Sequence, residues 1–459
     1  MRALAAGLLV ALAASCGGAA EVAGGEPVNL LLVVLDTTRA DHLSCYGHAR
    51  RTTPAVDALA ERGVRFAQAF SQSSLTPVSA ASFLSGVWPY RTGVRSLFVV
   101  GGETVAPDVP SLFERLRAGG RRTAGFVSAR PMGAHYGLSR GFDVYDDDMS
   151  ATSERYGLER FADAPQRPGD ETVDLALDWL ADHADAPFAM MVHMFDAHDP
   201  SFVPPREFLT GRMSVPVPEG LQRINPRQGW PDSYKPAQRV ELYDVELEFL
   251  SLQVERLLEG LERAGVADDT VVCVIADHGE AFGEHGFWTH GILYQEQLHV
   301  PLVLAGPGIA RGAVVEETVR LVDLAPTLLE HFGLDASGCD GVSFRARLGG
   351  GGAAAQAEPP EVYAEVHHAA EDRLRRDTEM YSLAFGRWKY IHRPVPGTHE
   401  LYDLASDPDE LENLFRPDHP MAKILQVRLI GRGAVDGAVP DLEGIPEAEL
   451  ARLRELGYL

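Results

Sequence analysis

Asn29-Leu30-Leu31-Leu32-Val33-Val34-Leu35-Asp36 is an unbroken apolar run that ends on a carboxylate. A strand with one wet face alternates apolar and polar residues. A run without alternation fits a strand covered on both faces, as in a parallel sheet. Four further runs share the pattern, at residues 123–127, 188–194, 270–276 and 300–304. Between them, apolar residues fall at helical spacing over residues 54–62, 111–118, 171–183, 238–264 and 321–332. Strands alternating with helices predict an α/β fold with a large central, mostly parallel sheet flanked by helices. Polar residues just past such strands gather at the carboxyl edge of the sheet, where sites form. Asp36 is therefore a candidate site residue.

Further along, Gly349-Gly350-Gly351-Gly352 reads as a flexible surface stretch. Beyond it, residues 380–385 and 388–392 flank Gly386-Arg387 as a β-hairpin, and helical patterns return near 421–429 and 446–455. This divides the chain into a larger α/β unit at 28–335 and a smaller C-terminal α+β subdomain at 336–459. The 459 residues are 45% hydrophobic, which suits an ordinary globular protein rather than a disordered one. A formal net charge of −25 repels phosphate backbones and argues against general nucleic-acid binding. It leaves room for a small anionic substrate, because one metal ion reverses a local field.

The first fifteen residues read as a signal peptide, with Arg2 ahead of an apolar run too short to span a bilayer. Ala13-Ala14-Ser15-Cys16-Gly17 resembles a bacterial lipobox, with Cys16 as the lipid-bearing residue. The expectation is an extracytoplasmic lipoprotein held to the membrane through Cys16. Cleavage after Ala20, giving a secreted soluble protein, is the alternative. Four cysteines make no disulfide scaffold. Cys273 sits in an apolar run and reads as a buried small hydrophobe, while Cys45 and Cys339 could pair in an oxidising compartment.

Three segments carry chemistry. The first is Asp36-Thr37-Thr38-Arg39-Ala40-Asp41 at the end of the first strand, where an Asp serves either as a turn former or as a metal ligand. The second is Asp277-His278-Gly279-Glu280, continuing to Thr289-His290-Gly291. Here a strand ends in an adjacent carboxylate and imidazole, a pairing that suits Zn²⁺ or Mn²⁺ better than Ca²⁺. The third is Thr76-Pro77, which reads as the N-cap and first residue of a helix. A hydroxyl there also meets the positive end of the helix dipole, a good place for an anion.

Together these segments resemble the sulfatase family of the alkaline phosphatase superfamily. The resemblance runs from about residue 28 to the C-terminus and includes Thr52-Thr53-Pro54, Leu84-Ser85-Gly86 and Glu400-Leu401-Tyr402-Asp403. It implies that Thr76 stands where sulfatases carry the Cys or Ser that becomes formylglycine. Ala80 replaces their Arg and Val78 their Pro. Threonine cannot form that aldehyde, so the chain is similar to the branch with an unmodified Thr nucleophile. By the same resemblance Asp36, Thr76, Asp277 and His278 would hold one divalent metal, Mn²⁺ or Zn²⁺ rather than Ca²⁺. Thr37, in place of a second Asp, removes one hard ligand. His198 and His290 would contact the substrate or its leaving oxygen. His193 stays open between a satisfied sheet-edge histidine and a site residue. Asp196 is a candidate for a second metal, although its spacing to His198 favours one metal. The implied activity is hydrolysis of phosphate mono- or diesters, or phosphoryl transfer. Sulfate-ester hydrolysis without formylglycine, or a catalytically weak binding lipoprotein, are the alternatives.

Overall fold

The computed structural model describes residues 28–97, 103–157, 165–198, 203–219, 221, 223, 233–349, 359–367 and 379–433. Its centre is an eight-stranded sheet. Along the chain the strands are β1 (Asn29–Leu35), β2 (Val64–Phe66), β3 (Arg122–Val127), β4 (Val144–Asp146) and β5 (Phe188–Met194). They continue with β6 (Thr270–Ile275), β7 (Leu302–Ala305) and β8 (Ala313–Val315). Their spatial order is β8-β2-β7-β6-β1-β5-β3-β4. Strand β7 runs antiparallel to both its neighbours, and every other pair is parallel.

The apolar run that opens the chain's reading is buried throughout, because both faces of β1 are covered. Leu30, Leu32 and Val34 pack towards α2 (Thr76–Ser85), α3 (Leu112–Ala118) and α6 (Leu324–His331). Leu31, Val33 and Leu35 pack towards α1 (Pro54–Glu61), α4 (Gly169–His183) and α5 (Pro236–Arg263). In register, Val34 lies opposite both His193 and Ile275. The polar residues that follow β1 and β6 therefore emerge level, at one edge.

A second, antiparallel sheet follows, with β9 (Val362–His367), β10 (Glu379–Phe385), β11 (Trp388–Arg393) and β12 (Thr398–Asp403) in sequential order. The expected hairpin is present as β10–β11, turning at Gly386 with φ of 60°, a conformation that favours glycine. Helix α7 (Pro420–Gly431) covers this sheet, and Trp88 and Val322 from the larger body complete its core.

Some readings need correction. The run at 300–304 is two strands, not one. His299–Val300 pairs with Ala69–Phe70, and the chain joins the main sheet only at Leu302, because Pro301 has no N–H to continue a ladder. The segment at 321–332 begins as a 3-10 turn, Leu321–Asp323, before α6. Cys45 and Cys339 do not pair; both are free thiols. Cys45 packs on the α1 side of the sheet and Cys339 on the α2 side, so the sheet separates them. Cys273 is buried in β6 as expected. The signal segment at 1–15, Cys16, Gly350–Gly352 and the helical pattern at 446–455 lie outside the described residues. Among the described residues, no helix is long and apolar enough to cross a membrane.

Candidate active site

Asp36 and Asp277 leave the carboxyl ends of adjacent strands, β1 and β6, and both are fully buried. The backbone between them is tied at several points. The N–H of Thr37 donates to Asp277 Oδ1 at 3.2 Å, and the N–H of His278 donates to the same oxygen at 2.9 Å. Thr37 itself has φ of 49°, strained for a β-branched residue. Tyr243, from α5, holds that turn, donating its hydroxyl to the Thr37 carbonyl and accepting from the Arg39 N–H, each at 2.9 Å.

The Thr76 hydroxyl does not cap its own helix. Leu75 is the N-cap, one residue earlier than the sequence suggests, and Thr76 is the first helical residue. Its Oγ1 instead lies 3.3 Å from Asp36 Oδ2 and 3.3 Å from His278 Nε2. The tautomer of His278 follows from its partner: Nδ1–H donates to the Gly279 carbonyl at 2.9 Å, which leaves a lone pair on Nε2 facing Thr76. Gly279 is needed at this departure, since a Cβ would fall 2.1 Å from the Glu296 carbonyl oxygen.

Donor atoms of Asp36, Asp277 and His278 all lie within 4.8 Å of one another. Asp36 Oδ1 and Asp277 Oδ2 are buried without a hydrogen-bond partner among the described residues. Burial, and then the facing Asp277 carboxylate, push the Asp36 pKa well above the usual carboxylate range. Two buried carboxylates with open oxygens, an imidazole nitrogen with its lone pair exposed to the group and a hydroxyl fit a divalent cation.

His193 resolves towards the site. It is fully buried on β5 and its Nε2–H donates to Asp36 Oδ2 at 2.9 Å, while burial lowers its pKa to about 4. The ring is thus neutral and orients the carboxylate it touches. His290 donates Nδ1–H to the Ser74 carbonyl at 2.9 Å, so its Nε2 accepts from His198 Nε2–H at 2.8 Å. The His290 ring lies 4.6 Å from that of His278, and the His198 ring stacks on Phe195 at 4.0 Å. Burial, then His278, depress the His198 pKa to about 3.

Asp196 is not part of the cluster. Its Oδ2 accepts the Gly169 N–H at 2.8 Å at the start of α4, so the second-metal reading has no support in this geometry. His285 also turns away and stacks on Tyr294 at 3.6 Å. The sequence reading missed Tyr243 and Arg39. The Arg39 guanidinium binds both Asp41 oxygens and reaches Glu284 and the Glu280 carbonyl, so it pins the loop after His278.

With this arrangement in view, the profile of the sulfatase family matches residues 28–334. The chain belongs to the sulfatase family. A second profile, described as N-sulphoglucosamine sulphohydrolase, C-terminal, matches residues 283–430. Sulfatase-family proteins are metal-dependent ester hydrolases, and Asp36, Asp277 and His278 form a group in this chain that could hold a metal ion. Choline-sulfatase of Rhizobium meliloti is 26% identical over 92% of this chain and 89% of that protein. Delta 4,5-hexuronate-2-O-sulfatase of Bacteroides thetaiotaomicron is 25% identical over 90% and 89%. In structure, the phosphonate monoester hydrolase of Agrobacterium radiobacter superposes with a TM-score of 0.66 at 21% identity, covering 94% of this chain and 96% of that one. This last likeness speaks for the sulfatase-type fold.

Proposed function

We propose that this chain is a metal-dependent phosphoesterase of the sulfatase family that uses Thr76 as its nucleophile. The observation that supports it most is the Thr76 hydroxyl, turned from the helix cap it was expected to make towards Asp36 Oδ2 and His278 Nε2. Asp36, Thr76, Asp277 and His278 would hold one Mn²⁺ or Zn²⁺ ion, which when bound neutralises ester charge and lowers the pKa of a hydroxyl.

Thr76 Oγ1 attacks phosphorus in line and forms a covalent ester as the leaving oxygen departs. The proton that Thr76 gives up is balanced by the one the leaving oxygen gains. In this reading His290 or His198, which lie 2.8 Å apart, would protonate the leaving oxygen. His193 keeps Asp36 in a single orientation throughout. A water molecule then cleaves the threonyl ester and restores the hydroxyl; an alcohol in its place would make the reaction a transfer.

The nucleophile argues for phosphorus over sulfur. Formylglycine releases sulfate by breaking a C–O bond in a hemiacetal, an exit that a sulfothreonine lacks. A phosphothreonine is open to attack at phosphorus. Sulfate-ester hydrolysis remains the second reading, favoured by the names of the curated relatives. A panel of nitrophenyl phosphate, phosphodiester and sulfate substrates, with and without Mn²⁺, separates the two. Metal-dependent turnover of a phosphate ester well above the sulfate is the expected result. Faster sulfate turnover would overturn it, and no turnover of any substrate would favour a binding lipoprotein. The lipid anchor on Cys16 and the extracytoplasmic location belong to the same proposal. Intact mass of the native protein should show a lipidated Cys16 terminus; an unlipidated chain starting at Glu21 would contradict it.

A further inference from the structure

The strap that leaves Asp36 carries a second convergence of metal-binding groups. After the 3-10 turns Ala40–His42 and Ser44–Tyr46, the chain reaches His48 just before α1. Both histidines face Asp244 on α5. His42 Nδ1 lies 2.7 Å from Asp244 Oδ1, and His48 Nε2 lies 3.2 Å from Asp244 Oδ2. The two imidazoles stack with centroids 4.8 Å apart, and one donor from each of the three residues lies within 4.8 Å of the others. Zinc–ligand bonds of about 2.0–2.2 Å place tetrahedral ligands roughly 3.3–3.6 Å apart, so small side-chain movements would close this set on an ion.

The charge balance points the same way. The Asp244 side chain is only 11% exposed, yet its charge partners are two imidazoles, which carry no permanent charge. The nearby guanidinium of Arg50 goes instead to Glu248, one turn further along α5. A third cluster, His285, Glu296 and Glu410, differs in this respect: Lys389 Nζ already stands 2.7 Å from Glu410 Oε1 and supplies the cation.

We propose that His42, His48 and Asp244 form a second divalent-metal site, separate from the catalytic group and suited to Zn²⁺ or another imidazole-binding ion. Two imidazoles and one carboxylate leave a fourth position for water, on the side where His48 is 20% exposed. An ion there would join the Asp36 strap to α5 beside Tyr243, the residue that holds the Thr37 turn. The site would therefore fix the backbone that presents Asp36 without itself meeting substrate.

The test uses the full chain, stripped with a chelator, dialysed and titrated with Zn²⁺ alone, with metal content measured after desalting. The wild type should bind about two equivalents, and His48→Gln and Asp277→Asn about one each. The double variant should bind none. Zn²⁺ should still raise the Tm of Asp277→Asn but not that of the double variant. Because Asp277→Asn removes the catalytic group, this outcome is independent of the proposed reaction. A folded Asp277→Asn protein that binds no Zn²⁺, or a His48→Gln protein with wild-type stoichiometry, would overturn the proposal. If His48→Gln fails to fold, anomalous scattering at the zinc edge from Zn²⁺-soaked wild-type crystals decides. A peak between His42 and His48 supports the site, and its absence overturns it.

Discussion

Asp36 and Asp277 lie buried side by side with outer oxygens that no described group satisfies, whereas Glu410, just as deeply buried, closes on Lys389 at 2.7 Å. The same contrast extends along the seam between the two sheets. Arg95 binds both oxygens of buried Glu365 at 2.7 and 3.0 Å, and Arg320 binds both oxygens of Asp323 at 2.8 and 2.7 Å. In these three pairs a buried carboxylate has its own cation, and removing one partner would leave the other charge buried alone. At the sheet edge two carboxyl oxygens are left open, and the fold holds them there with strain at Thr37 and clamps from Tyr243 and His193.

Substitutions should separate the two regions. The largest effect is expected for Asp277→Asn, which removes one of the open carboxylates. Several kcal/mol of transition-state stabilisation correspond to roughly a thousand-fold in rate. Turnover should fall by about that factor, bound metal by about one equivalent, and the metal-free melting temperature should not fall. Unchanged metal content would dissolve the contrast.

Lys389→Met should do the reverse. It leaves Glu410 buried without its cation, which costs about 3–5 kcal/mol in denaturant unfolding, while the catalytic metal content stays as in the wild type. Adding Glu410→Gln should recover part of the loss. If Lys389→Met were neutral in stability, the seam would not depend on its paired charges.

The smallest effect concerns Glu296, at the same seam. Burial, and then Glu410, raise its pKa from the ordinary 4.5 to about 7. The folded protein thus keeps a proton that the unfolded chain has released. That contribution is complete below the unfolded value and is lost as pH rises towards 7. Unfolding free energy should therefore decline between about pH 5 and 7, and Glu296→Gln should flatten the decline by on the order of 1–3 kcal/mol. Asp196, also raised to about 7 by burial, keeps some slope in the same window. An unaltered slope in Glu296→Gln would contradict the assignment.

Much of this was legible because each strand of the site ends abruptly. Asp36, Asp277 and His278 stand where apolar runs stop, so strand pattern and residue chemistry agree. Thr76 was legible as a helix start but misplaced by one position, because a Thr-Pro pair looks alike whether Thr is the cap or the first residue. Tyr243 and Arg39 gave no signal. One sits inside a helical pattern and the other in a polar loop, and their roles arise only when α5 packs on the strap after β1. The short strands β2, β4 and β8 were equally silent, since three residues carry too little periodicity to read. The sheet's carboxyl edge could be read from local pattern, whereas contacts made by tertiary packing could not.

The central claim is that Thr76 attacks the ester. Brief incubation with a phosphodiester substrate, acid quenching and peptide mapping tests it most directly. The account predicts phosphate on the peptide containing Thr76, none in Thr76→Ala, and turnover in that variant reduced by orders of magnitude with a nearly unchanged melting profile. Thr76→Ser should keep part of the activity. A Thr76→Ala protein with near-normal turnover and no trapped phosphate in the wild type would mean that water attacks directly, and the account would fail.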